Sequence, residues 1–346
     1  MTDHPSAPRR SAPPPMLVGE DGLRVDNRLL IPTHGKTPTQ PPSGLIWDLS
    51  GETLGAIWNV RLAPPADLDR ADCQIAIEEE LKRIILLFSH EEPRSELSRL
   101  NAAPPGFWAV SEPFWSLLNT ALDLADDTNG AFDPTLGALV ELWGHGPPGS
   151  APGLPSGDEI AAALALSGWG RLRLNRDARA VQQLGGVKLD LSGAVRGHAV
   201  DRISDRLTAM GATHHLVGIG GELRGAGVKP GGHPWWAPLP QPAGGRAPRT
   251  AAALFDMAMA TSGGGNRLID GHTGRPVDDE VVSVTVLADT ALYADAMTTA
   301  LVVMGPAEGP AFAEAMNIAA AFAVRGEDGL LETVTPAFVA MLKEGA

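Results

Sequence analysis

Hydrophobic residues follow two regular patterns along most of the chain after residue 45. They alternate with polar residues, as in a strand, over residues 54–62. We also predict short strands at 171–174 and 181–183, two strands around a glycine turn over 215–226, and strands at 281–287 and 318–324. Hydrophobic residues recur every three or four residues, as in helices, over residues 73–88, 111–129, 156–166, 194–211 and 290–304, and shorter helices are expected near 135–142, 310–316 and after 336. We therefore predict helices and strands that are mixed along the chain.

The rest of the chain is organised around residues 190–201, which read DLSGAVRGHAVD. Apolar residues alternate over 187–191 as in a strand, and Ser192 and Gly193 then let the backbone turn into the next helix. A strand that ends at a helix start brings unpaired N–H groups and the positive end of a helix dipole to one point. This junction either binds a phosphate or is an ordinary turn between a strand and a helix.

Two oxygen-bearing side chains share one face of the helix predicted at residues 290–304. Asp295 and Thr299 are four residues apart, which is about one helical turn. A carboxylate and a hydroxyl at that spacing can share Mg²⁺, which prefers oxygen ligands and often completes its shell with substrate phosphates and water. The alternative is that Thr299 hydrogen-bonds the carbonyl of Asp295 on an ordinary helix.

Polar and glycine-rich segments separate the predicted elements. Asp133 lies in a fixed corner, Gly-Ala-Phe-Asp-Pro, where its carboxylate either points inward or caps the helix after Thr135. The pair Gly220 and Gly221 lets a ligand approach the backbone, although glycine pairs also occur in plain hairpins. We predict loops at residues 95–101, 230–249 and 261–277, of which the last is a candidate site because it is rich in Thr, Ser, Asn, Asp and His.

Composition limits the kinds of protein that this chain can be. With 44% hydrophobic and 20% charged residues and no apolar run of about 18 residues, we expect no transmembrane segment. The net charge of −14 argues against nucleic acid as a partner. We predict that residues 1–44, rich in Pro and Ser, form a disordered or loosely packed arm ahead of one domain at residues 45–346. The pair Arg9-Arg10 lacks the apolar stretch of an export signal, so we expect a cytoplasmic location for the chain as given.

In order and spacing, these segments resemble the ApbE family of FAD:protein FMN transferases, the bacterial flavin transferases. The resemblance runs from about Leu54 to Met341. It rests on LGAIWNV, SELSRLN, GAFDPTLGALVELW, LDLSGAVRGHAVD, VGIGGEL followed by Pro234-Trp235, ATSG, IDGHTGRPV and VTVLADTALYADAMTTALVVMG. No single segment decides the family, but eight in one order do not arise readily by chance. Because most members work outside the cytoplasm, the resemblance also allows a periplasmic location.

The resemblance implies an α+β fold of the T-fold-like flavin transferase type, with FAD in a cleft and Mg²⁺ on its pyrophosphate. It implies that the metal is held by Asp295, Thr299 and a backbone carbonyl at Ala194–Val195, for which we choose Val195. Asp133 matches the acid at the adenine end. The other expected contacts to the cofactor are Arg196, Gly220, Gly221, Glu222, Thr261, Ser262 and Gly263. The implied reaction is attack by a threonine hydroxyl of an acceptor protein on the FMN phosphorus, with release of AMP.

The chain departs from the family pattern at its expected catalytic base. Arg267 stands where the family has a histidine, and a guanidinium stays protonated at neutral pH and cannot accept a proton. The segment between Gly263 and Arg267 is also shorter than in the family. His272 is the candidate that could take over the role of base, with Asp270 next. Arg196 replaces a lysine, which keeps the charge but not the shape of the side chain.

Three functions are consistent with this pattern. The first is FMN transfer from FAD to a protein threonine with an altered base. The second is Mg²⁺-dependent cleavage of the FAD pyrophosphate by water, which needs no acceptor protein. The third is binding of a flavin or nucleotide without catalysis. Retention of Asp295 and Thr299 favours the two enzymes, whereas the loss of the histidine favours the third.

Overall fold

The computed structural model describes residues 28–33, 41–146, 154–241, 249–263 and 267–343. The helices are α1 Arg70–Phe88, α2 Glu96–Asn101, α3 Glu112–Asp127, α4 Gly137–Leu142, α5 Gly157–Leu164, α6 Ser192–Ala209, α7 Ala291–Ala315 and α8 Pro336–Met341. The strands are β1 Arg28–Leu30, β2 Trp47–Thr53, β3 Ala56–Leu62, β4 Gly106–Ala109, β5 Leu174–Asn175, β6 Ala180–Gln183, β7 His215–Ile219, β8 Glu222–Ala226, β9 Trp235–Pro238, β10 Thr250–Leu254, β11 Met257–Gly263, β12 Ile269–Asp270, β13 Arg275–Pro276, β14 Val281–Ala288, β15 Ala319–Gly326, β16 Gly329–Val334 and β17 Leu342–Lys343.

An antiparallel sheet supports the centre of the molecule. Within the described residues it has eight strands in the order β16-β15-β14-β11-β8-β7-β3-β2. Helices α6 and α7 pack against each other, and α7 lies along β11 and β14. The main hydrophobic core is formed by α1, α3, α6, α7 and one face of the sheet, and it includes the fully buried Phe114 and Phe322. The expected α+β fold is confirmed.

A second, smaller sheet extends into the segment that the sequence predicts as a loose arm. Its order is β17-β1-β10-β9, in which β1 pairs in parallel with β10. Leu30 is fully buried in a second hydrophobic cluster with Trp235 and Phe338. The prediction of a loose arm is therefore wrong for residues 28–30, because distant segments supply the strands that hold them. Residues 1–27 lie outside the described part of the chain.

Residues 187–191 do not form the strand that their alternation predicts. The segment has one bridge, between Lys188 and Leu136. Its backbone is bound instead by the side-chain amide of Asn101, whose Oδ1 accepts from the Leu189 N–H at 2.8 Å and whose Nδ2 donates to the Leu189 carbonyl at 2.8 Å. Because Asn101 satisfies both backbone groups as a neighbouring strand would, the segment leads into α6 without belonging to a sheet.

Three segments that the sequence predicts as loops contain regular structure. Residues 96–101 form α2, because the Ser95 side chain caps it by accepting from the Ser98 N–H at 2.9 Å. Within 230–249, β9 pairs with β10 and buries Trp235. Residues 261–263 continue β11 and pair with β14.

Helix α7 changes direction at Gly305, where φ is 78°. The separate helix predicted near residues 310–316 is the second part of this kinked element. Among the described residues, no helix has both the length and the apolar character needed to cross a membrane.

Candidate functional site

The first turn of α6 lies against α7 with very little space between them. The Asp190 carboxylate accepts from the Ser192 N–H at 2.8 Å and so fixes the start of the helix. A Cβ added to Gly193 would lie 3.2 Å from Thr299 Oγ1 and 3.3 Å from the ring of Phe132. The missing side chain therefore leaves a small cradle between the helix start and Thr299. The Ser192 N–H is bound by Asp190, and the Ala194 and Val195 N–H groups are bound by the Leu191 carbonyl, so it is the positive end of the helix dipole that suits an anion there.

Asp295 is a buried carboxylate with one unpaired oxygen. Its residue is 1% exposed, and its Oδ2 accepts from the Gly197 N–H at 2.9 Å. Among the described residues, Asp295 Oδ1 has no hydrogen-bond partner. Burial and then the Glu222 carboxylate raise the pKa of Asp295 well above its usual range, against the opposing effect of Arg196. Because an unpaired buried carboxylate oxygen is costly, this position favours a proton or a cation.

The oxygen donors around Asp295 fit a hard divalent cation. Thr299 follows one turn later on α7, beside the Gly193 cradle. Val195 is 4% exposed and its apolar side chain lies in the main core, so only its backbone carbonyl could be a ligand to the cation. A carboxylate, a hydroxyl and a carbonyl are the donor types that Mg²⁺ prefers. In the described part of the chain, no three His, Cys, Asp or Glu residues form a metal-binding group. A cation here would therefore depend on one carboxylate and neutral oxygens.

Arg196 and Glu222 form an ion pair beside Asp295. Arg196 Nη2 lies 3.5 Å from Glu222 Oε1, and the Glu222 side chain is 1% exposed. Glu222 Oε2 also accepts from the Gly221 N–H at 3.2 Å. Burial raises the pKa of Glu222 while Arg196 opposes that rise. At Gly220, where φ is 63°, a Cβ would lie 3.3 Å from Arg196 Nη1, so the glycine turn makes room for the guanidinium. The structure thus brings four predicted cofactor contacts together.

The end of β11 is fastened by hydroxyl groups to both of its neighbours. Thr261 Oγ1 lies 2.9 Å from Thr285 Oγ1 on β14. Ser262 Oγ lies 2.8 Å from Thr298 Oγ1 on α7. Gly263 is the exposed last residue of the strand. The three predicted residues of β11 therefore face α7 and β14 from a strand rather than from a free loop.

Asp133 occupies a mostly buried corner before α4. Its Oδ1 accepts from the Thr135 N–H at 2.8 Å and from the Thr135 hydroxyl at 2.6 Å. Helix α4 begins after Leu136 without a side-chain cap, so the interpretation of Asp133 as its cap is wrong. Burial raises the pKa of Asp133, while bonds to Thr135, the backbone of Trp169 and the charge of His272 oppose that rise. The carboxylate is therefore turned inward and held by the turn itself.

Asp270 and His272 lie in the tight hairpin between β12 and β13. Asp270 Oδ1 accepts from the His272 N–H at 2.8 Å and lies 3.3 Å from His272 Nδ1. Asp270 Oδ2 accepts from the Thr273 hydroxyl at 2.8 Å. The His272 side chain is 58% exposed. Arg267 is exposed at the start of the preceding segment, and the shortened stretch before it, residues 264–266, lies outside the described residues.

Short contacts join the Asp133 corner to both the α6 start and the hairpin. The Phe132 ring packs beside Gly193, where an added Cβ would lie 3.3 Å from it. A Cβ on Gly271 would lie 3.5 Å from the Gly130 carbonyl. Residues 130–133 thus lie between the start of α6 and the hairpin that carries His272.

Three residues of this region were not identified from the sequence. Thr298 bonds Ser262, and its position next to Thr299 is the one sequence feature that points to it. His90 Nδ1 lies 3.9 Å from Asp190 Oδ1, and the interaction with that carboxylate raises the pKa of His90 against the effect of burial. The ring of Trp169 covers Gly130, where a Cβ would lie 2.2 Å from a ring carbon. The last two depend on contacts between distant segments, which leave no periodic signal.

Comparisons with known proteins agree along most of the chain. Residues 54–322 match the family model described as the ApbE family. A Vibrio cholerae protein named FAD:protein FMN transferase is 33% identical over 312 residues, which are 86% of this chain and 92% of the relative. The solved structure of the flavin transferase ApbE from Vibrio cholerae has a TM-score of 0.80 at 33% identity and covers 86% of this chain and 99% of its own. The apo crystal structure of Pseudomonas stutzeri flavinyl transferase ApbE has a TM-score of 0.81 at 32% identity, with 87% and 98% covered.

Proposed function

The chain belongs to the ApbE family, and from this premise we propose that it transfers FMN from FAD to a threonine hydroxyl of an acceptor protein and releases AMP. Its relatives are named FAD:protein FMN transferases. One observation in this chain carries the proposal, namely the unpaired Oδ1 of the buried Asp295 next to the start of α6. That oxygen would be costly in a protein that held no cation or proton there.

Mg²⁺ would be held by the Asp295 carboxylate, the Thr299 hydroxyl and the Val195 carbonyl, and it would neutralise charge on the pyrophosphate. The chain's own contribution is positive charge and orientation. The positive end of the α6 dipole would attract phosphate oxygens, and the Arg196 guanidinium would bind them. Glu222 accepts from the Gly221 N–H and pairs with Arg196, so it fixes both the glycine turn and the guanidinium that face the cofactor. Thr261, Ser262 and Gly263 would line the flavin side, and Asp133 the adenine side.

In the transfer step, the threonine oxygen forms a bond to the FMN phosphorus while the bond from that phosphorus to the AMP oxygen breaks. AMP leaves with the electron pair, and the threonine proton goes to a base. We assign that base to His272, because Asp270 lies 3.3 Å from His272 Nδ1 and can hold the ring in one orientation. Arg267 cannot accept the proton and would bind phosphate instead.

Cleavage of FAD by water is the second candidate function. It is favoured by Arg267 in the place of the family histidine, since the attack of water can be activated in part by the metal. The products would be FMN and AMP, with no modified protein.

The purified protein, incubated with FAD and Mg²⁺ with and without a threonine-bearing acceptor polypeptide, separates these functions. Transfer predicts release of AMP together with the mass of an FMN group on the acceptor. AMP with free FMN and an unmodified acceptor would select cleavage by water. Flavin binding without AMP would contradict both enzymatic functions.

A further inference from the structure

Thr298 connects the flavin-side strand to the backbone of the metal-side acid. Its residue is fully buried, and its Oγ1 donates to the Asp295 carbonyl at 2.8 Å. The same Oγ1 lies 2.8 Å from Ser262 Oγ at the end of β11. A hydroxyl that bonds a carbonyl in its own helix is ordinary. A second bond from that hydroxyl to another element is what makes this residue different.

The direction of the second bond follows from the first. A hydroxyl carries one proton, and Thr298 uses it on the Asp295 carbonyl. Thr298 Oγ1 must therefore accept a hydrogen bond from the Ser262 hydroxyl, which donates its own proton. We call this bond between Ser262 and Thr298 the bridge. Ser262 is partly exposed, so its oxygen can still accept a hydrogen bond from a ligand. The bridge thus fixes Ser262 as an acceptor toward the cofactor.

Asp295 is held from two sides while one of its oxygens stays free. Gly197 on α6 binds Oδ2, and the bridge from β11 holds the carbonyl of the same residue. Any displacement of the end of β11 is therefore transmitted through two short bonds to the residue that presents Oδ1. Thr261 in turn ties β11 to β14 at the adjacent position.

We propose that Thr298 is a positioning residue that couples cofactor binding at the end of β11 to cation binding at Asp295. This inference rests on the proposed function of the site. When a cofactor orders Ser262, the bridge holds the Asp295 backbone in the orientation that the cation needs, and a bound cation does the same for Ser262. By linkage, each ligand then raises the affinity of the other.

The test measures cation binding without FAD, using Mn²⁺ as the probe and electron paramagnetic resonance as the readout. Thr298→Val keeps the shape but removes both bonds, and it should weaken Mn²⁺ binding by about 3- to 10-fold, the range expected for one or two lost hydrogen bonds. Thr298→Ser keeps the hydroxyl and should bind like the parent. The matched control is Thr335→Val, which removes a buried hydroxyl at the start of α8, away from the site. It should lower the melting temperature without changing Mn²⁺ affinity.

Ser262→Ala breaks the bridge from its other end and serves as a second, independent variant. Ser262 is a proposed contact to FAD but not a proposed metal ligand, so a direct loss of metal binding is not expected; its substitution should nevertheless weaken Mn²⁺ binding in the absence of FAD. The FAD dissociation constant measured with EDTA, divided by the constant measured with Mg²⁺, should be smaller in both variants than in the parent. Parent-like Mn²⁺ affinity and FAD ratio in Thr298→Val and Ser262→Ala would overturn the coupling. A parent that binds neither Mn²⁺ nor FAD would instead contradict the proposed function.

Discussion

Burial decides the chemistry of single residues in this site. Asp295 and Glu222 are both 1% exposed, and burial raises the pKa of each. Arg196 faces both carboxylates and opposes the rise in each case. One guanidinium can pair with only one of two buried carboxylates, so the other favours a proton or a bound cation. The net charge of −14 favours the cation over the FAD anion.

Asp295→Asn should remove the metal-dependent activity and leave the fold intact. The amide keeps the shape and the bond from the Gly197 N–H, while the charge that would hold the cation is lost. A metal contributes several kcal/mol to the transition state, so AMP release should fall by at least about 100-fold. Without metal, the melting temperature should equal or exceed that of the parent, because a buried charge is gone. Equal turnover in variant and parent would show that this helix does not bind the metal.

Restoring a histidine at position 267 should raise FMN transfer. General base catalysis contributes about 10²- to 10⁴-fold in rate, and Arg267→His would add a group that can accept the threonine proton. His272→Ala should lower transfer by a similar factor if His272 is the present base. Both variants are measured by the mass gain of the acceptor. Transfer that is unchanged in both would direct attention to Asp270 as the base.

At the level of elements, the site depends on how closely α6 and α7 approach. A Cβ on Gly197 would lie 2.2 Å from the Ala291 carbonyl and 2.8 Å from Asp295 Cβ. The two glycines on α6, at 193 and 197, therefore bring its first turns directly onto the helix that carries Asp295 and Thr299. A closer approach of backbone to backbone is available only where no side chain intervenes.

Gly193→Ala should weaken metal and FAD binding with little change in stability. The new methyl group would lie in the cradle 3.2 Å from Thr299 Oγ1 and 3.3 Å from the Phe132 ring. Alanine favours a helix by about 1 kcal/mol over glycine, which offsets part of the crowding. The control is Gly157→Ala in α5, where no atom lies within 4 Å of the added Cβ. It should stabilise the protein and leave both affinities unchanged, as measured by thermal unfolding and flavin fluorescence.

For the whole molecule, net charge opposes the binding of an anionic cofactor. FAD should therefore bind more tightly when Mg²⁺ is present, because a cation at Asp295 offsets the field of a chain with a charge of −14. Titration of flavin fluorescence with Mg²⁺ and with EDTA gives the two dissociation constants. Identical constants would contradict a cation at the pyrophosphate.

The buried His215 makes stability depend on pH. Its Nε2 lies 2.8 Å from Ser204 Oγ and its Nδ1 2.7 Å from the Ala212 carbonyl, and burial lowers its pKa to about 4. Because the folded state keeps the ring neutral, the stability is fully present above the ordinary pKa of histidine and is lost as the pH falls toward about 4. Between about pH 7 and about pH 5, His215 alone should reduce the free energy of unfolding by about 2 kcal/mol. Urea unfolding at several pH values would measure this, and a flat profile would contradict it.

Across the whole chain, the sequence by itself determined the elements whose apolar residues repeat locally. The predictions of α1, α3 and α6 are confirmed, because an apolar stripe of helical period must face a core, and the β7–β8 hairpin turns at the predicted pair Gly220 and Gly221. The order of the motifs also identified the family correctly. The helical spacing of Asp295 and Thr299 also indicated that they act together, since residues one helical turn apart share a face whatever surrounds them.

Only the tertiary structure decided how those side chains are paired and buried. Leu189 lies in an apparent strand, but its backbone is bound by Asn101, which is 88 positions away in the chain. Residues 28–30 form a strand because they pair with β10 and β17, which come from distant segments of the chain. Whether Asp295 Oδ1 is free, and whether Thr298 bonds Ser262, depends on atoms that three elements, α6, α7 and β11, bring within about 3 Å. A local pattern reports which face of an element is apolar, whereas hydrogen bonds and desolvation depend on neighbours that only the folded chain supplies.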